Sequence, residues 1–103
     1  DLGKFYTLCA GAAAQSWTLE NRCPIPGVVA EAPASNNFDP GFAVRLMAKD
    51  LRLAQAAAAS SGQRTPFGAE AAKAFTAFAE TSGDRDFSAF YTTLRALPEQ
   101  TQD

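Results

Sequence analysis

The chain has 103 residues, is 47% hydrophobic and carries a formal charge of −2 with a pI near 5.0. That suits one compact domain burying roughly 60–70% of its unfolded surface, and it supplies no positive field for a polyanion, so nucleic acid is not an expected partner. The apolar runs fall well short of the roughly 20 residues that span a bilayer and no export signal is visible, so a soluble, cytoplasmic chain with no membrane contact is expected.

Leu2, Phe5, Tyr6 and Cys9 recur at i, i+3, i+4 and i+7 behind a potential Asp1 cap, which predicts a helix from residue 2 to about residue 10, stopping near Gly11. Ser16 can cap a second short helix from Trp17 to about Arg22. Pro24, Pro26, Gly27, Pro33 and Pro40 then resist regular structure, together with Ser35 and the Asn36-Asn37 pair. Long loops of this kind are uncommon inside domains, and the interleaved Ile25, Val28, Val29 and Phe38 predict that this one packs down.

A third helix is expected from about Pro40, a residue suited to a first turn, to Ala59, with Ser60-Ser61-Gly62 as the stop. At about 100° per residue, Phe42, Leu46 and Leu53 fall within roughly 40° of one another, and Ala43, Met47, Ala54 and Ala57 extend that stripe. Asp50 lands inside the stripe and Lys49 at its border, about 20° from Phe42. A carboxylate on a core-facing line needs a partner, since burying an unpaired charge costs several kcal/mol. Asp50 is therefore expected either to be paired within the fold or to face a site.

Thr65-Pro66 should open a fourth helix with Ala71, Ala74, Phe75 and Phe78 on one face, ended by Ser82-Gly83. Asp84 or Asp86 can cap the last helix, where Phe87, Phe90, Tyr91 and Leu94 repeat the first helix's spacing; residues 99–103 read as a frayed polar tail. No segment shows clean strand alternation. The expected fold is all-α, a bundle of about five helices with one long Pro-rich loop.

The chain contains no His, which removes imidazole bases, Ser-His and Cys-His pairs and the commonest metal ligand together. Cys9 and Cys23 match no zinc spacing, so no metal site is expected and both read as reduced thiols. Most of the eight Phe residues sit at helical spacing and read as core; the alanine run 56–59 reads as a helix former. Arg45, Lys49 and Arg52 form a basic strip at i, i+4 and i+7 that is either solvated surface or a seat for a phosphate or carboxylate.

Several segments in order resemble the C-terminal domain of the 3-hydroxyisobutyrate dehydrogenase family of β-hydroxyacid dehydrogenases. They are Gly11-Ala-Ala-Ala-Gln-Ser-Trp17, Cys23-Pro-Ile-Pro-Gly27, Ala32-Pro-Ala-Ser-Asn-Asn37, Gly41-Phe42, Leu46-Met-Ala-Lys-Asp-Leu-Arg-Leu-Ala54 and Asp86-Phe-Ser88. The resemblance implies a 6-phosphogluconate dehydrogenase C-terminal-domain-like fold over residues 1–98, serving substrate binding and dimerisation in a homo-oligomer. It also implies a separate N-terminal Rossmann domain for NAD or NADP, which this sequence does not contain: its seven glycines never form a G-x-G.

The family's catalytic lysine lies in a Gly-rich helix start upstream of this sequence, so no catalytic residue is assigned within it, neither Lys4 nor Lys73. What the resemblance implies for this chain is a cofactor-facing set of Lys49, Asp50 and Phe42, with Trp17 as an aromatic wall near a small β-hydroxy acid substrate. Arg22 departs from the family, which often has an aromatic there; it is either an extra contact for a substrate carboxylate or an exposed side chain. On this reading the chain is part of a dehydrogenase, inactive and without tightly bound NAD when isolated, and its start at Asp1, directly on a helix, suits a piece of a longer protein. The alternative is a helical dimerisation or partner-binding module without chemistry.

Overall fold

The computed structural model describes residues 1–95; the expected tail at 99–103 lies outside them. Five α-helices follow one another: α1 (Leu2–Cys9), α2 (Trp17–Arg22), α3 (Val44–Ser61), α4 (Pro66–Ser82) and α5 (Tyr91–Arg95). Two 3-10 turns, Pro33–Asn36 and Phe87–Phe90, complete the described residues, among which the sole β feature is an isolated bridge between Ala43 and Asp86. None of these helices is long and apolar enough to cross a membrane.

Local capping chemistry explains most boundaries. Asp1 Oδ1 accepts the N–H groups of Gly3 and Lys4, and Ser16 Oγ accepts that of Leu19, each satisfying amides that a first helical turn leaves free. Gly62 closes α3 in the left-handed region at φ 71°, its N–H directed at Ala58 and Ala59 carbonyls. Thr65 precedes α4 as expected, but its hydroxyl donates to Gln55 Oε1 at 3.2 Å and does not cap; Pro66 at the first position already removes one amide that would need an acceptor.

The Pro-rich loop packs down. Ala32, Pro33, Ala34 and Phe38 are buried, while Ser35 Oγ accepts the Gly27 N–H at 3.0 Å and donates to the Val29 carbonyl at 2.7 Å. Asn36 Nδ2 donates to the Ala30 and Ala32 carbonyls, so this side chain works as a turn tie. Phe38 joins Ala34, Ala89 and Phe78 in the core cluster.

The third helix differs from expectation in two ways. It starts at Val44, and Pro40, Gly41 and Phe42 precede it outside the helix. The cause is remote: Asp86 Oδ1 accepts the Gly41 N–H at 3.0 Å and the Phe42 N–H at 2.9 Å, and the Phe42 carbonyl accepts from Phe87 N. The first amides of α3 then find backbone carbonyls, Val44 donating to Arg85 and Arg45 to Gly83, which is why the helix has no side-chain cap.

The second difference concerns which stripe is inside. Val44 and Ala48 are fully buried, and Leu51, Gln55 and Ala58 are half-buried; these lie on one face, about 180° from the Leu46–Leu53–Ala57 stripe. The inner face packs α4, the main helix pair of the fold, through small residues including Ala72. Close approach selects the small face: a Cβ on Gly68 of α4 would come within 2.8 Å of Gln55 Nε2. Leu53 is left 59% exposed, and Asp50 and Lys49 are exposed beside it. Asp50 is therefore not a core carboxylate of this chain.

Further along α4, Phe75 stacks on Phe90 at 4.7 Å and Phe78 meets the same ring edge-on at 5.7 Å, so both phenylalanines are packed within the chain. The expected stripe of α1 is only partly covered: Tyr6 and Cys9 are half-buried while Leu2 and Phe5 are exposed, as is Leu8 outside the stripe, by 78%.

Candidate functional site

Two parts of the expected site are brought together by backbone and a cation. Trp17 opens α2 and is 62% exposed. At the end of the same helix the Arg22 guanidinium lies over the Trp17 ring, 4.9 Å from its centroid, a distance at which the ring quadrupole attracts a cation. The guanidinium also rests against Gly41: a Cβ there would sit 2.7 Å from Nη2 and 3.1 Å from Cζ. Gly41 thus gives way to Arg22, and links Trp17 to the segment carrying Phe42.

Phe42 is half-buried, its ring set edge-on to Phe87 at 6.1 Å. Its place is fixed by Asp86, which is 0% exposed and whose two oxygens accept from Gly41 N, Phe42 N, Ser88 N and Ser88 Oγ. A carboxylate with four donors is well compensated for burial. Sequence reasoning gave Asp86 a capping role, and it does cap the 3-10 turn through Ser88 N. What local pattern could not reveal is the hold on residues 41 and 42.

Lys49 and Asp50 stand between one and two turns into α3, on the outward side. Neither makes a side-chain hydrogen bond or ion pair among the described residues, whereas their neighbour Arg45 pairs with Asp84 at 3.2 Å and Arg52 reaches Thr76 Oγ1 at 3.4 Å. The basic strip is therefore divided: its two ends are engaged within the chain and Lys49 is left available. Lys49 flanks the stripe of half-buried Leu46 and exposed Leu53 on one side and Asp50 on the other. An ammonium with three donors beside an apolar surface, next to a carboxylate, can hold a ligand that combines ribose or amide oxygens with a flat ring.

Cys23 is buried and Cys9 half-buried, both free. Among the described residues, no group of His, Cys, Asp and Glu is arranged to hold a metal ion.

The comparisons with known proteins agree with this architecture. Residues 1–94 match the family described as NAD-binding of NADP-dependent 3-hydroxyisobutyrate dehydrogenase. The chain is 44% identical over 91 residues to a probable 3-hydroxyisobutyrate dehydrogenase of Mycobacterium tuberculosis, covering 88% of this chain and 31% of that protein. It is 45% identical over 74 residues to an NAD-dependent L-serine dehydrogenase of Pseudomonas aeruginosa, covering 71% and 25%. A solved structure of the Mycobacterium tuberculosis 3-hydroxyisobutyrate dehydrogenase with L-serine superposes with a TM-score of 0.89 at 41% identity, over 92% of this chain and 33% of that one. The chain thus spans about a third of the length of the relatives it matches. With nearly its whole length matched in sequence and in fold, the chain belongs to the 3-hydroxyisobutyrate dehydrogenase family.

Proposed function

We propose that this chain is the helical C-terminal domain of an NAD(P)-dependent dehydrogenase that oxidises a short β-hydroxy acid, 3-hydroxyisobutyrate in the first instance, to its semialdehyde. The observation that carries this reading is the two-faced α3: one face is consumed by α4, while the opposite face presents Leu53, Lys49 and Asp50 without a partner among the described residues. An apolar strip edged by an unpaired ammonium and carboxylate suits the nicotinamide end of a dinucleotide held in a neighbouring Rossmann domain. Lys49 would donate to a ribose or amide oxygen there, Asp50 would hold the lysine in place, and Phe42 would pack beside them. Trp17 would wall the substrate.

When bound, NAD(P) would supply the acceptor for the carbinol hydride, and the hydroxyl proton would pass to the acid/base lysine that the family resemblance places upstream. The domain itself binds, orients and excludes water. The deciding experiment is an assay of the longer protein containing this segment, following NADH or NADPH formation with 3-hydroxyisobutyrate and with L-serine. Turnover that requires Lys49 supports the reading; absence of turnover with every short β-hydroxy acid and both dinucleotides overturns it. The 103-residue chain alone should show no turnover and no tight NAD binding.

A second reading rests on α1, whose Leu2, Phe5 and Leu8 are exposed together: association between copies through this domain. Sedimentation of the chain, with Phe5→Ser as the comparison, separates association from catalysis.

A further inference from the structure

We propose that Asp86 is a positioning residue for the dinucleotide, acting through Phe42: the buried carboxylate sets where that ring stands when the cofactor packs against it. The inference rests on the dinucleotide reading above and adds the residue, remote in sequence, on which the fit of the cofactor depends.

The two oxygens of Asp86 divide their work. Oδ2 takes Ser88 N and Ser88 Oγ and so completes the cap of the Phe87–Phe90 turn. Oδ1 is given wholly to Gly41 N and Phe42 N. A turn cap needs only the first oxygen, and the second serves no neighbour in sequence. Its effect is on conformation. Pro40 suits a first helical turn, and an α3 begun there would carry Phe42 round on the helix surface at about 100° per residue. Held by Oδ1, Phe42 stays outside the helix, half-buried and edge-on to Phe87.

The residues leading to Phe42 are held against their own preference. Asn37 and Phe38 both lie in the left-handed region, at φ 57° and 56°, a conformation that a bulky side chain rarely takes and that persists only where the surroundings over-determine it. Here they do. Phe38 N donates to the Pro33 carbonyl at 2.7 Å, the Phe38 carbonyl accepts from Asp86 N at 2.9 Å, and the Arg85 guanidinium lies 4.8 Å from the Phe38 ring centroid. Asp86 thus grips residues 38, 41 and 42 together, one through its amide and two through Oδ1. Strain kept in a segment that ends at Phe42 points to a place where position is held as well as stability.

The test is fluorescence titration of the longer protein with NADH and NADPH, for the parent, Asp86→Asn, Phe42→Ala, the double variant and Ser88→Ala, each at a temperature where circular dichroism shows it folded. Asparagine has one carbonyl oxygen for donors on two sides, so Asp86→Asn should weaken binding of the preferred dinucleotide by about fivefold to tenfold. Asp86→Glu, which keeps both oxygens but moves them by a methylene, should do the same and takes its place throughout if Asp86→Asn does not fold. Phe42→Ala should weaken binding by about tenfold, and the double variant should be weaker than Phe42→Ala by less than about twofold, because the carboxylate acts through that ring. Ser88→Ala removes a buried bond to Oδ2 and should lower the melting temperature, yet it leaves Oδ1 in place and should keep the affinity within about twofold. No loss from the Asp86 variant, additive losses in the double variant, or a loss from Ser88→Ala as large as that from Asp86→Asn overturns the proposal. A parent that binds neither dinucleotide overturns the dinucleotide reading itself, whereas a parent that binds and shows additive losses overturns this inference alone.

Discussion

Asp86 holds Phe42 by its backbone: Oδ1 accepts the Phe42 N–H at 2.9 Å across 44 positions of sequence. The same oxygen takes Gly41 N, and the Phe42 carbonyl is taken by Phe87 N, so the residues preceding α3 are clamped from both sides. Asp86→Ala would leave several buried donors without acceptors, at a cost of about 3 kcal/mol or more. Urea denaturation of the chain should show that loss, with Asp86→Asn retaining part of the stability.

The two faces of α3 should respond in opposite ways to substitution. Ala48 is fully buried against α4, so Ala48→Leu overfills a close helix contact and should destabilise by about 1–3 kcal/mol. Leu53→Ser removes an exposed side chain and should change stability by less than about 0.5 kcal/mol. Denaturant midpoints of the two variants check the difference, and a large loss from Leu53→Ser would place that face inside.

Lys49→Ala and Asp50→Asn should leave the melting temperature of the chain nearly unchanged, since both residues are exposed and unpaired among the described residues. In the longer protein each should lower kcat/KM for the dinucleotide, by about tenfold for Lys49→Ala if it makes one charged hydrogen bond to the cofactor. Steady-state kinetics at varied NAD and NADP would measure this.

Phe90 receives both aromatic contacts from α4. Phe90→Ala should cost about 2–3 kcal/mol, below the range for a fully buried ring because Phe90 is half-buried. Phe67→Ala at the exposed start of α4 should be close to neutral, and thermal unfolding of the pair makes the comparison.

What the sequence made legible was what neighbours in sequence determine. The caps at Asp1 and Ser16, the Gly62 stop of α3, the opening of α4 at Pro66 and the helical class all follow from short-range patterns. The start of α3 was misplaced because Pro40 satisfies the local rule for a first turn, while the carboxylate that holds Gly41 and Phe42 outside the helix comes from residue 86. The inner stripe was misread for a related reason: periodicity ranks bulky Leu46 and Leu53 above small Val44 and Ala48, and only the closeness of α4 reverses the order. For the candidate site, residue types and family resemblance singled out Trp17, Phe42, Lys49 and Asp50. The Arg22–Gly41 contact was not legible, since a glycine's missing side chain leaves no pattern until its tertiary neighbour is known.

The opposed faces of α3 also separate two kinds of inheritance along one segment. Positions 44, 48, 51, 55 and 58 answer to the fit against α4, whereas the exposed positions 49, 50, 53 and 57 are free of that constraint. Drift in the first set is limited by folding alone, and drift in the second by whatever the surface meets. A change of ligand preference can therefore accumulate on α3 with little loss of stability, one residue away from positions where the same change would unfold it.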